Sequence, residues 1–78
     1  MAKEYLFHLS KDPDLIDYGD AKEAIVQAYS VQQASALLDE VFYDEDWSLS
    51  QIKHRCIGTA LTNNIDPKGK IIMTTYFK

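Results

Sequence analysis

The chain has 78 residues, a formal net charge of −4 and 46% hydrophobic residues. That length predicts a single domain, and the apolar content excludes an intrinsically disordered chain. The single cysteine, Cys56, excludes an internal disulfide, a zinc quartet and a CxxC redox pair, and no apolar run reaches the about 20 residues of a membrane span. The first residues also lack a signal-peptide pattern, so we expect a cytoplasmic protein.

The first third of the chain predicts two strands joined by an acidic connection. Residues 4–9 place Tyr5, Phe7 and Leu9 on one face and Leu6 and His8 on the other, which is the period of a strand. Residues 10–23 hold four aspartates and predict a loop with one helical turn after Pro13. Residues 24–29 are rich in β-branched and aromatic side chains and predict a second strand.

The clearest local signal is a capped helix that begins at Ser30. Ser30 and Gln33 form a capping-box pattern, in which the hydroxyl accepts from the N3 amide and the glutamine reaches back. The apolar side chains behind this cap recur at helical spacing, and they are Val31, Ala34, Leu37, Leu38, Val41 and Phe42. We predict a helix from Ser30 to Tyr43 that buries Leu38, Val41 and Phe42 against a sheet.

The remaining residues predict two further strands. Residues 44–49 form a polar turn. Residues 50–62 fit a helical face as well as a strand, but their β-branched side chains and Gly58 favour a strand with a bulge near Gly58. Residues 62–69 have turn chemistry, and residues 70–77 are rich in β-formers. The order ββαββ predicts an α+β domain, with one helix packed on one face of a four-stranded, mainly antiparallel sheet.

Part of the acidic connection aligns with a calcium-binding EF-hand loop. The acidic residues in register with ligand positions of that loop are Asp12, Asp14, Asp20 and Glu23. Ile16 and Asp17 occupy the positions where the loop needs an oxygen ligand and a glycine. We therefore expect no metal site and no cofactor.

Two other sets of side chains contain the residue types of a catalytic pair and of a nucleic-acid-binding patch. His54 and Cys56 lie two apart on a predicted strand and point to one face, but no acid orients the histidine, so we expect no catalytic pair and no enzyme. Cations on an expected C-terminal hairpin could form a basic patch, and they are Lys53, Arg55, Lys68 and Lys70. Aromatic side chains are not interleaved with them, so we expect no direct binding to nucleic acid.

The distribution of charge is the strongest functional signal. Residues 12–46 hold ten acidic side chains against Lys22 alone, whereas residues 47–78 carry a net charge of +4. An acidic face repels nucleic acid and steers a protein toward basic protein surfaces. Aromatic side chains embedded in such a face are typical of interface hot spots.

The acidic segments and their aromatic side chains together form a predicted partner-binding surface. Its members are Asp12, Asp14, Asp17, Tyr18, Asp20, Asp39, Glu40, Tyr43, Asp44, Glu45, Asp46 and Trp47. The alternative is that the acidic residues only keep the protein soluble and that Trp47 closes the core.

The stretch from Ala24 to Leu38 is a strand that ends in Tyr-Ser and continues as Val-Gln-Gln-Ala-Ser-Ala-Leu-Leu. It resembles small phage-encoded inhibitors, among them several anti-CRISPR proteins and the small phage inhibitor of host RNA polymerase, in which a strand runs into a Ser/Thr-x-x-Glu/Gln-Ala helix. The resemblance implies a non-enzymatic protein that binds a host nucleic-acid-handling machine through acidic side chains, in the cytoplasm of the host cell. It assigns no individual site residue, because those proteins share no common site.

A second hypothesis is a homo-oligomeric structural or accessory subunit that associates through its C-terminal strand. Residues 71–77 have high β-propensity and no charged side chain. Such a strand at a sheet edge favours pairing with a second copy, which would give a homodimer. The mass in solution distinguishes this hypothesis from an inhibitor, which is recognised by its affinity for a basic protein surface.

Overall fold

The predicted α+β architecture is confirmed by the computed structural model, which describes residues 3–60 and 67–77. The elements in chain order are β1 (Tyr5–Lys11), a 3-10 turn (Pro13–Leu15), β2 (Ala21–Ala28), α1 (Val31–Val41), β3 (Ile52–Thr59) and β4 (Lys70–Tyr76). The four strands form one antiparallel sheet in the order β3-β1-β2-β4. The helix α1 packs on one face of this sheet, and its buried side chains belong to the same hydrophobic core.

The first two strands form the centre of the sheet, and the last two form its edges. β3 pairs with β1 and β4 pairs with β2, so the expected C-terminal hairpin is wrong. The expected basic patch is divided as a result, with Lys53 and Arg55 on one edge and Lys70 on the other. The apolar face of β4 explains this arrangement, because Ile71 lies opposite the buried Val26 of β2.

The core lies between the inner face of the sheet and α1. Alternation along β1 and β2 places Phe7 opposite Val26 and Leu9 opposite Ala24, and all four side chains are buried. The alanines of β2 are small enough to let the helix approach the sheet closely. Among the described residues, the buried apolar side chains are Phe7, Leu9, Ala21, Ala24, Val26, Ala28, Ala34, Leu38 and Trp47.

The cap of α1 forms as predicted. The Ser30 hydroxyl accepts a hydrogen bond from the Gln33 N–H at 3.1 Å, and the Gln33 side-chain oxygen accepts from the Tyr29 N–H at 2.8 Å. The Gln33 side chain also donates to the carbonyl of Pro67 at 2.7 Å. The cap therefore holds the start of the helix and the approach to β4 together.

The helix ends at Val41 rather than at the predicted Tyr43. Phe42 leaves the helical conformation, with φ −111° and ψ 62°, and the chain turns there toward the sheet. Leu38 is fully buried and Phe42 packs against the core as predicted, but Val41 is 48% exposed, so its predicted burial is wrong.

Strand boundaries follow pairing more than local propensity. β2 begins at Ala21 rather than at the predicted residue 24, because its first residues pair with Tyr76 and Thr75 of β4. The bulge predicted near Gly58 is confirmed, since Leu6 lies opposite Gly58 and Phe7 opposite Cys56. Most of the turn predicted over 62–69 lies outside the described residues.

We expect the packing of α1 to depend on Leu38. Leu38→Ala removes a fully buried side chain from the centre of the core and should lower the free energy of unfolding by about 2 to 5 kcal/mol. Val41→Ala is the matched control, because that side chain is half exposed and should change stability by no more than about 0.5 to 1 kcal/mol. Urea denaturation of both variants measures the difference, and equal losses would contradict the observed helix face.

Candidate functional site

Two acidic loops meet at one end of the sheet. They are the loop between β1 and β2 and the loop between α1 and β3, and between them lies an open depression of about 310 Å³. The residues that line this acidic depression are Lys11, Leu15, Asp17, Asp20, Asp44, Glu45, Asp46 and Gln51. Five carboxylates and one cation from separate parts of the chain therefore share one surface.

The depression is built on a buried ion pair. Lys11 Nζ donates to Glu45 Oε1 at 2.9 Å, and the two side chains are only 7% and 8% exposed. Glu45 also accepts from the indole N–H of Trp47 at 3.2 Å and from the backbone N–H of Ala21 at 3.4 Å. The Lys11 ammonium lies 4.6 Å from the centroid of the Trp47 ring, a cation–π distance. Glu45 therefore joins the end of β1, the start of β2 and the loop after α1.

The backbone of Trp47 is fixed by the helix. Its N–H donates to Asp39 Oδ1 at 2.8 Å, and its carbonyl accepts from the Ser35 hydroxyl at 2.6 Å. Its ring packs against Phe42 with centroids 6.3 Å apart. Trp47 is fully buried in this position.

Three members of the predicted partner-binding surface are therefore turned inward. Trp47 closes the core, as in the alternative interpretation, because its large apolar ring is buried while its N–H groups still find acceptors. Glu45 is held by Lys11, and Asp39 accepts from the Trp47 backbone. The prediction that these side chains face a partner is corrected on those grounds.

The outward members include four aspartates that line the depression and two tyrosines that are next to such aspartates in the sequence. Tyr18 is 79% exposed and Tyr43 is 87% exposed. Asp17 and Asp44 are exposed, and no hydrogen bond or ion pair to another described residue occupies their carboxylates. Asp20 is half-buried, and its carboxylate accepts from the Asp17 N–H at 3.3 Å.

The other predicted carboxylates lie apart from the depression. Asp12 caps the 3-10 turn by accepting from the Asp14 N–H at 3.0 Å, and both residues are exposed. Glu40 on α1 accepts from Lys68 Nζ at 2.7 Å in an exposed ion pair. The acidic segment thus does not form one continuous patch.

Hydrogen bonds from Ser48 lower the pKa of Asp46. The Ser48 hydroxyl and then the Ser48 backbone N–H donate to its carboxylate, at 2.7 and 3.0 Å, and hold the pKa of Asp46 below its ordinary value. The side chain is fully exposed, so Asp46 stays ionised at neutral pH while remaining available to a partner.

The residues of the EF-hand register and of the His54–Cys56 pair lie within the described ranges, 3–60 and 67–77. Glu23 lies in β2 with its carboxylate 3.6 Å from His8, and Asp12 caps the 3-10 turn. His54 and Cys56 are exposed on β3, and the Cys56 thiol donates to the Gly58 carbonyl at 3.5 Å. Those ranges contain no group of three His, Cys, Asp or Glu side chains placed to hold a metal ion. No helix in them is long and apolar enough to cross a membrane.

Lys11, Leu15 and Gln51 line the depression and are absent from the predicted partner-binding surface. Lys11 is the charged member of these three. It stands at the end of β1 and its partner Glu45 is 34 positions away. A lysine at a strand end is a common feature of a surface, so nothing in the local sequence marks it. Only the pairing of β1 with its neighbours brings its ammonium among the carboxylates.

No protein-family model, curated protein or solved structure matches this chain. What the site does is therefore inferred from its own geometry and from the sequence resemblance described above.

We expect the loss of one member of the ion pair to destabilise the fold. Lys11→Met leaves the Glu45 carboxylate buried without its cation and should lower the free energy of unfolding by about 3 to 5 kcal/mol. Lys22→Met is the control, because Lys22 is exposed and its loss should cost no more than about 0.5 kcal/mol. Chemical denaturation at neutral pH measures both, and a Lys11→Met variant as stable as the control would contradict the role of the pair.

A second expectation concerns the titration of Asp46. Its folded pKa lies below the unfolded value of about 3.9, so its hydrogen bonds stabilise the fold above that pH and are lost as the pH falls through the folded pKa. Ser48→Ala should raise the titration midpoint toward the ordinary value, while Ser50→Ala should leave it unchanged. Carboxyl ¹³C shifts followed by NMR against pH measure the midpoint, and the same midpoint in wild type and Ser48→Ala would contradict the assignment.

Proposed function

We propose that this protein is a non-enzymatic, phage-encoded inhibitor that binds the basic surface of a host nucleic-acid-handling protein, in the host cytoplasm, through its acidic depression. The observation that carries the proposal is the convergence of Asp17, Asp20, Asp44 and Asp46 from two loops onto one surface. The charge of such a surface resembles that of a row of phosphates, and carboxylates pair well with arginine and lysine side chains.

The depression is preorganised for this role. Carboxylates that lie close together repel one another. In this protein the repulsion is overcome when the chain folds, so binding does not have to overcome it. The buried Lys11–Glu45 pair offsets part of the repulsion and fixes both loops. A partner therefore meets a surface whose loops are already ordered, which reduces the entropy that binding must overcome.

Aromatic side chains next to the carboxylates support a protein partner. Tyr18 and Tyr43 are among the most exposed large side chains of the described residues, and tyrosine is enriched in interface hot spots. They replace Trp47 as candidate contact residues, since Trp47 belongs to the core. The net charge of −4 disfavours nucleic acid as the direct ligand.

The resemblance of residues 24–38 to small phage-encoded inhibitors supports the same class of partner. The strand, the cap at Ser30 and the start of α1 that carry this resemblance are all present in the fold. These residues position α1, and the end of α1 leads directly into the loop that holds Asp44 and Asp46. Residues 24–38 thus hold the proposed site in place and do not themselves line it.

Displacement of DNA from a basic probe tests the proposal. An arginine-rich peptide is first bound to a fluorescent duplex, and the protein is added while anisotropy reports release of the duplex. We expect wild type to release it, and Asp44→Lys to require about three- to tenfold more protein, because an attractive contact becomes repulsive. The loss should appear mainly in the association rate and should shrink as salt is added.

Asp14→Lys is the matched control. It makes the same change of net charge on an exposed aspartate that does not line the depression, so its effect should be clearly smaller. Circular dichroism checks that both variants remain folded. Equal effects of the two substitutions, or release that does not depend on salt, would show that the depression is not the binding surface.

A further inference from the structure

The two edges of the sheet differ in how they are protected. β3 forms one edge, carries Lys53 and Arg55 and contains the bulge at Ile57. Charged side chains and bulges are the common devices that prevent one edge strand from pairing with another. β4 forms the other edge and has a bulge of its own at Ile72, since Ile25 lies opposite Met73 and Val26 opposite Ile71. It differs from β3 in charge, because after Lys70 its side chains are uncharged to the end of the strand.

The β4 edge exposes apolar surface together with its backbone. Ile72 is 49% exposed, and Met73 and Tyr76 are similarly accessible. An outer strand presents unpaired N–H and C=O groups along its length, and their natural ligand is another extended strand. Among the described residues no strand lies outside β4.

The charges at the two ends of β4 are of opposite sign. Lys70 opens the strand, is exposed, and has no hydrogen bond or ion pair to another described residue. The acidic loop flanks the other end, where the Phe77 N–H donates to the Asp20 carbonyl at 2.8 Å and the Gly19 N–H donates to the Phe77 carbonyl at 2.7 Å. Asp17, three residues before Asp20, is exposed in that loop.

We propose that β4 pairs antiparallel with β4 of a second copy, which extends the sheet across a two-fold axis. Antiparallel pairing centred on Met73 brings Lys70 of one copy opposite Tyr76 of the other, next to Phe77 and the Asp17 loop, so the opposite charges meet twice. Parallel pairing would instead place like charges side by side. The exposed edge of β4 and the opposite charges at its two ends therefore favour a second copy of this chain as the binding partner.

This interface shares Asp17 with the acidic depression but leaves Asp44 and Asp46 outside it. Asp44 and Asp46 lie on the loop that leads to β3, the opposite edge of the sheet. Separate variants therefore distinguish the two proposals, because Asp44→Lys lies outside the β4 interface and Ile72→Lys lies outside the depression.

Sedimentation equilibrium of the full chain tests the dimer, with a reducing agent present so that exposed Cys56 forms no disulfide between copies. We expect wild type to dimerise reversibly as concentration rises. Ile72→Lys places a charge opposite Thr74 of the other copy and diagonal to the same lysine there, and it removes apolar contact. It should raise the Kd of the dimer about a hundredfold, a factor of about ten for each copy. Ile57→Lys is the matched control on β3, where Ile57 is 43% exposed, and it should leave the Kd unchanged.

A charge exchange tests the antiparallel arrangement. Lys70→Glu should weaken the dimer, and adding Asp17→Lys should restore it, while circular dichroism confirms that each variant is folded. A wild-type chain that stays monomeric at every soluble concentration would overturn the proposal. An unaffected Ile72→Lys dimer, an equal loss from Ile57→Lys, or a double variant as weak as Lys70→Glu would overturn it as well.

Discussion

The buried pair of Lys11 and Glu45 beneath Trp47 is the constraint on which the rest of this structure depends. Seven of the ten acidic side chains of residues 12–46 lie in the two loops that meet at the depression. A single ammonium at the end of β1 is shielded from water there and lies against both a carboxylate and an indole ring. A buried pair of this kind adds little net stability compared with apolar packing, but it fixes which groups must meet.

That constraint divides the acidic residues into two sets with different roles. Glu45 and Asp39 are used inside the protein, where they accept hydrogen bonds that position Trp47. Asp17 and Asp44 are left to solvent on the surface that this framework holds in place. Nothing in the sequence distinguishes a carboxylate that holds a loop in place from one that is left to solvent. The fold alone assigns these two roles here.

The same fold gives the molecule two surfaces of different kinds. The acidic depression lies at one end of the sheet, and the uncharged edge of β4 runs along its side. Paired through that edge, two copies would carry their acidic depressions at opposite ends of one extended sheet. A partner with two basic sites at a suitable spacing would then bind both depressions. The resulting gain in affinity depends on the spacing of the sites rather than on additional contacts.

Sequence by itself determined the features that depend on neighbouring residues. The cap at Ser30, the alternation of β1, the bulge beside Gly58 and the ββαββ order arise from interactions over a few positions, and all four are present. Tertiary structure alone decided the strand order, the early start of β2, the burial of Trp47 and the role of Lys11. These depend on contacts such as the Lys11–Glu45 pair, 34 positions apart, and no local pattern specifies which distant carboxylate a given lysine will meet.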